Sequence, residues 1–199
     1  MADTLERTSP LQPWAAQFAQ LPNSVAIVEE PFATMVDLRV NPSGPGAAAA
    51  AEVLGVELPA AASTYAKNAD TTVIWLGPDE WLITSTAVAG PELEARLREA
   101  VAPHGGVAVD VSGQRTTLRL RGSASREVLG KGCALDLHPR TFGEGAAAQT
   151  ILGQAGVILL AVDGSGADYR IVVRSSFARY VADWLLDAAV EYTPEQVTL

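Results

Sequence analysis

The chain has 199 residues, with 14 Lys and Arg against 23 Asp and Glu, a formal charge of −9, and 48% hydrophobic residues. The acidic balance excludes nucleic acid and anionic membrane surfaces as natural partners. A single cysteine, Cys133, excludes an internal disulfide.

This length is enough to bury a real core as one domain or two small ones. A mean hydropathy of +0.16 agrees with surface covered by a partner, and equally with an alanine-rich core. The opening MADTLERTSPLQPW has no basic segment and no apolar run, so the reading expects no secretory signal and a cytoplasmic location. The longest apolar run, near Val157–Val162, stops at Asp163. It falls far short of the roughly 18 residues of a membrane span.

Residues 1–24 read as an arm. Pro10, Pro13 and Pro22 forbid a long helix, while Trp14, Phe18 and Leu21 share one face of two short turns. That face packs on its own domain or docks on another chain. Val25–Val28 and Met35–Val40 read as strands, and Asn41–Gly46 hands over to an alanine-rich helix ended by Gly55. Thr71–Leu76 and Glu80–Ser85 flank Gly77-Pro78-Asp79, whose residue types suit a hairpin turn. A helix follows from Gly90-Pro91, with Glu92 and Glu94 early, Arg96 and Arg98 late, and Leu93, Leu97 and Val101 as its apolar stripe. Val107–Val111 is a short strand.

The second half repeats this order. VDLRV is answered by TLRLR, which pairs Leu38 with Leu118 at an offset of 80. AEVLGVELP at 51–59 is answered by REVLGKGCALDLHP at 126–139, Val73-Ile74 by Val157-Ile158, and Trp81 by Tyr169. The helix from Pro91 is answered by Ser176–Val190. Each half reads as β-α-β-β-α-β, so the predicted fold is α+β with two ferredoxin-like, split βαβ units. The divisions are an arm at 1–24, a first unit at 25–110, and a second unit at 111–199 that includes the C-terminal helix. In this frame the acidic turn between Trp75 and Trp81 is a hairpin corner, matched by the loop Asp163–Asp168.

Catalytic, cofactor-binding and metal-binding residues are not assigned. His104 and His138 lie in loops without metal-ligand spacing, and Cys133 beside Lys131 reads as a buried small apolar residue. The glycines of Gly164-Ser-Gly166 precede a strand, where a dinucleotide fingerprint would open a helix. Residues 111–140 carry six basic side chains against two acidic ones inside the acidic chain. Arg115, Arg119 and Arg121 share one strand face with Thr117. That strip reads as a partner-docking face or as a solvated face balancing nearby carboxylates. With Trp14 and Phe18 these arginines form the expected partner interface.

Three stretches carry a family resemblance: WLGPDEWLI at 75–83, DVSGQRTTLRLRGSASREVLGKGCALDLHPRTFGEGAAAQTILGQAGVIL at 110–159, and YRIVVRSSFARYVADWL at 169–185. They resemble the gamma subunit of bacterial heterotetrameric sarcosine oxidase over nearly the whole chain. The segment from Asp110 is also similar to the aminomethyltransferase family, which includes the T-protein of the glycine cleavage system. The resemblance implies an oxidase that demethylates sarcosine to glycine with hydrogen peroxide formation and passes the carbon to tetrahydrofolate. It implies alpha, beta and delta partner subunits, with FAD, FMN, NAD, zinc and tetrahydrofolate held by those subunits, and a structural role for this chain. A free-standing folate-binding or one-carbon-transfer protein is the alternative from another class, and a ligand-sensing module is a third.

Overall fold

The structure is a computed structural model that describes residues 7–193; residues 1–6 of the expected arm and 194–199 of the expected second unit lie outside the described residues. The arm forms α1 (Ala15–Phe18). Then come β1 (Ala26–Glu30), β2 (Thr34–Arg39), α2 (Pro45–Leu54), β3 (Tyr65–Lys67), β4 (Thr71–Gly77), β5 (Glu80–Ser85), α3 (Gly90–Val101) and β6 (Val107–Asp110). The second half holds β7 (Arg115–Arg121), α4 (Ser125–Gly130), β8 (Ala147–Leu152), β9 (Ala155–Ala161), β10 (Asp168–Arg174) and α5 (Ala178–Ala189).

The strands form two antiparallel five-stranded sheets, ordered β3-β4-β5-β2-β6 and β1-β7-β10-β9-β8. In the first, β2-α2-β4-β5-α3-β6 has the split βαβ order, with β3 added at one edge. The second has the same order, but its fourth strand is β1, from the other end of the chain. Ala26–Glu30, which the sequence pattern groups with the first unit, pairs with β7, Ile27 facing Leu120. A strand's alternation records which side chains are buried and says nothing about the sheet it joins.

Alternation along the strands explains how the layers stack. On β2, Val36 and Leu38 face α2 and α3, where they meet Ala50, Leu54, Leu97 and Val101 beside Trp81 and Ile83. Met35, on the opposite face of β2, joins Ile74 and Leu82 against Ile158, Leu160 and Val172 of the other sheet. Leu118, Leu120, Tyr169 and Ile171 pack on Val128, Leu129, Val181 and Leu185 of α4 and α5. The order of layers is therefore helices, sheet, sheet, helices. β9 is buried on both faces, which is why Val157–Leu160 is an unbroken apolar run.

The two sheets are stitched at one edge. Thr64 bridges to Ala146, the amide of Tyr65 donates to the Gly145 carbonyl at 2.9 Å, and the Tyr65 hydroxyl donates to the Ala161 carbonyl at 3.0 Å. Among the described residues, β1 and β6 are the edges that stay open.

The repeat holds, with a correction of register. Leu38 faces Trp81, whereas Tyr169 faces Leu120, so Leu38 corresponds to Leu120 and not to Leu118. A slip of two residues keeps every side chain on its own face, so the pattern alone does not detect it.

Candidate functional site

The acidic turn is a corner. Asp79 accepts both contacts from the Arg39 guanidinium, at 3.1 Å, in an exposed pair. Trp81 is buried under the first unit's helices, and its indole N–H donates to the Pro59 carbonyl at 2.9 Å. Trp75 stands opposite it on β4 and packs on the same core.

His104 and His138 are exposed, and among the described residues no three of His, Cys, Asp and Glu come together as a metal site. Cys133 is buried, with its Sγ 3.9 Å from the Thr150 hydroxyl. The neighbouring Lys131 turns away to the Ala188 carbonyl, at 2.5 Å, and to Glu191. Lys131, the cation nearest in sequence, is therefore not directed at the thiol.

The expected interface residues fall into three groups. The arm folds back on its own chain: Phe18 is buried in the second unit's core, and Trp14 donates from its indole to Asp183 at 2.7 Å. Arg119 finds its counter-charges at home, with Nε and Nη2 at 2.9 and 2.6 Å from Asp168 and Nη1 3.7 Å from Glu30. The Asp168 hydrogen bonds hold its guanidinium more firmly protonated than usual. Glu30 also receives Arg170, at 2.7 and 3.1 Å, so it sits between two guanidinium groups. Arg121, at the end of β7, is exposed.

Arg115 belongs to the seam between the sheets. Burial weakens its hold on its proton, helped by Arg174, which lies directly across from it on β10. From the first sheet Asp37 and Glu80 oppose that effect. The Asp37 carboxyl in turn is raised above its ordinary value of 3.8, by burial first and by Glu80 second. This polar cluster closes one end of the seam.

The other end of the seam opens as a cleft of about 720 Å³, and no sequence motif marks it. Thr72, Ile74 and Thr84 form one wall, and Thr117, Leu160 and Arg170 the other. Thr34, Asp110 and the first turn of α3 close its base, and Phe32 and Arg7 stand at its mouth. Asp110 accepts both the amide and the hydroxyl of Ser112 on Oδ1, at 2.9 and 2.5 Å. Gly90 lets that carboxylate lie against the start of α3, since a Cβ there would stand 2.4 Å from Oδ2. The contributing residues come from strand ends on separate sheets, so a scan for local spacing misses them.

Residues 39–191 match the model of the sarcosine oxidase gamma subunit family. The sarcosine oxidase subunit gamma of Corynebacterium sp. (strain P-1) is 39% identical over 197 residues, 98% of this chain and 95% of its own. That of an Arthrobacter species is 38% identical over 96% of this chain and 94% of its own. A chain of the heterotetrameric sarcosine oxidase from Corynebacterium sp. U-96, solved with pyrrole 2-carboxylate, superposes with a TM-score of 0.87 at 37% identity, covering 96% of this chain and 98% of that one. The glycine cleavage system aminomethyltransferase T from Bartonella henselae shares the fold alone, with a TM-score of 0.59 at 13% identity over 86% of this chain and 48% of that one. The chain belongs to the sarcosine oxidase gamma subunit family.

Proposed function

We propose that the chain serves as the gamma subunit of a sarcosine oxidase complex, without carrying the oxidation chemistry itself. The observation that carries this reading is the superposition, over 98% of its length, of a chain from a heterotetrameric sarcosine oxidase. The complex would oxidatively demethylate sarcosine to glycine with hydrogen peroxide formation and pass the one-carbon unit to tetrahydrofolate. In this reading alpha, beta and delta subunits are the partners, and FAD, FMN, NAD, zinc and tetrahydrofolate reside on them. The setting is the cytoplasm, in keeping with the absence, among the described residues, of any helix long and apolar enough to cross a membrane.

The free edges are the natural contact surfaces. Val28 on β1 and Val107 and Val109 on β6 are half exposed, and each edge strand offers unpaired backbone to a neighbour. Trp14, Arg115 and Arg121 would add contacts at their margins. Phe18 and Arg119, engaged within the chain, would shape the surface from beneath. Purification of the tagged chain from its native host is the test. The expected result is larger, yellow, flavin-bearing subunits in fixed proportion, with sarcosine oxidation by the assembly and none by the chain alone. A colourless monomer would overturn the reading.

A further inference from the structure

The cleft between the sheets has unused hydrogen-bonding capacity. Thr34 and Thr117 are 8% and 5% exposed, yet they line the cavity, and neither hydroxyl has a partner among the described residues. Both hydroxyls are reached from the open cleft, so a ligand that enters it can take their hydrogen bonds. Beside Thr34 the first turn of α3, a helix of twelve residues, has no side-chain cap. The negative charge that this helix end favours is already there, in the Asp110 carboxylate lying against Gly90.

Charge of both signs is also left over. Both Ser112 contacts fall on Oδ1 of Asp110, so Oδ2 is free to accept a further donor. Arg170, which lines the cleft, binds Glu30 through Nε and Nη2 and has its Nη1 left over as a donor. At the mouth Phe32 holds a left-handed backbone with φ of 61° and keeps its ring half exposed under the Arg7 guanidinium, at 4.3 Å. Such a conformation is costly for an aromatic residue and is concentrated at functional sites.

From these groups we infer that the inter-sheet cleft binds a small free amino acid as its zwitterion. The amine is held by Asp110 Oδ2, and the carboxylate by Arg170 Nη1 with the Thr117 and Thr34 hydroxyls. A plain anion leaves Asp110 unanswered, and a plain amine leaves Arg170 and the hydroxyls unanswered. This inference stands on the cleft alone and is independent of assembly.

The test is titration of the full chain, followed by amide chemical shifts, with glycine and with sarcosine as probes and with acetate and methylamine as single-charge controls. Glycine or sarcosine is expected to give saturable shifts at Gly90, Ser112 and Thr117 in the millimolar range, and the controls none. Thr117→Val and Thr34→Val keep the side-chain shape, so each is expected to leave the melting temperature unchanged or higher. Each is also expected to weaken binding about five- to tenfold. Asp110→Asn should abolish binding, but it also disturbs the Ser112 turn, so the threonine variants carry the decision. Absent shifts, equal shifts from acetate alone, or unchanged affinity in both threonine variants would overturn the proposal.

Discussion

Trp81 in the first unit and Tyr169 in the second occupy the same place. Each is fully buried beneath its helices, each lies on the third strand of its unit, and each donates to a backbone carbonyl of the loop after that unit's first helix. Trp81 reaches Pro59 at 2.9 Å, and Tyr169 reaches Leu137 at 3.5 Å. On the opposite faces of the same sheets the resemblance ends. The first sheet turns Asp37 and Glu80 toward the seam, where Arg115 of the second meets them, while Arg119 and Arg170 are answered within the second sheet by Asp168 and Glu30. The helix side of each unit must fill a closed apolar space, which restricts shape and volume. The seam asks only that two facing surfaces agree, so duplicated units can differ there so long as their charges complement each other.

The largest test of this equivalence is truncation. Trp81→Ala should lower unfolding stability by about 3–5 kcal/mol, seen as a fall in the urea midpoint, and Tyr169→Ala should come close to it. If one truncation is nearly neutral, the two positions are not equivalent. Gly122→Ala should cost about 3 kcal/mol, because the residue holds φ of 126° and a Cβ would stand 2.3 Å from the Ser24 carbonyl carbon. No glycine in the first unit meets the chain this closely through backbone alone, so the effect should fall on the docking of β1. Hydrogen exchange would then rise along β1 before it rises along β2. A smaller loss, about 1 kcal/mol or less, is expected for Tyr169→Phe, since the hydroxyl contact is long.

The smallest effect concerns the seam. The folded value of Asp37 lies above 3.8, so the folded chain holds that proton more tightly than the unfolded chain does. Its stabilising contribution is complete below the ordinary value and is lost as pH rises through the folded one. Asp37→Asn should therefore melt slightly higher than the parent at pH 7, and the gap should close on acidification. A gap that is independent of pH, or a variant that melts lower at pH 7, would show that Arg115 and Arg39 outweigh burial at this carboxylate.

Much of this architecture was legible in the chain, because its signals are local. Gly77-Pro78-Asp79 fixes a hairpin by turn chemistry, Gly90-Pro91 starts a helix, and Glu-Val-Leu-Gly recurs in both units. What escaped notice was relational. β1 looks like any half-buried strand, and only tertiary pairing assigns it to the second sheet. β8, Ala147–Leu152, is masked by the glycines that flank it, and β3 has only three residues. Phe18 and Arg119 were identifiable as an anchor and a charge, but their partners, the second core and Asp168, lie far along the chain. The cleft had no signature, since threonines at strand ends resemble threonines anywhere.

The placement of β1 has a consequence for how the chain is made. Ala26 pairs with Arg121, so the earliest strand to leave the ribosome waits for one that is 95 residues behind it. At about 5–20 residues per second, that interval is roughly 5–20 s. The first unit can close its own sheet in the meantime, because β6 supplies its fourth strand. Ile27 and Val28 then remain as an uncovered apolar segment tethered ahead of a finished unit. Nascent chains interrupted between residues 110 and 121 should for that reason bind chaperones and aggregate more readily than the released protein, through the same segment that later completes the second sheet.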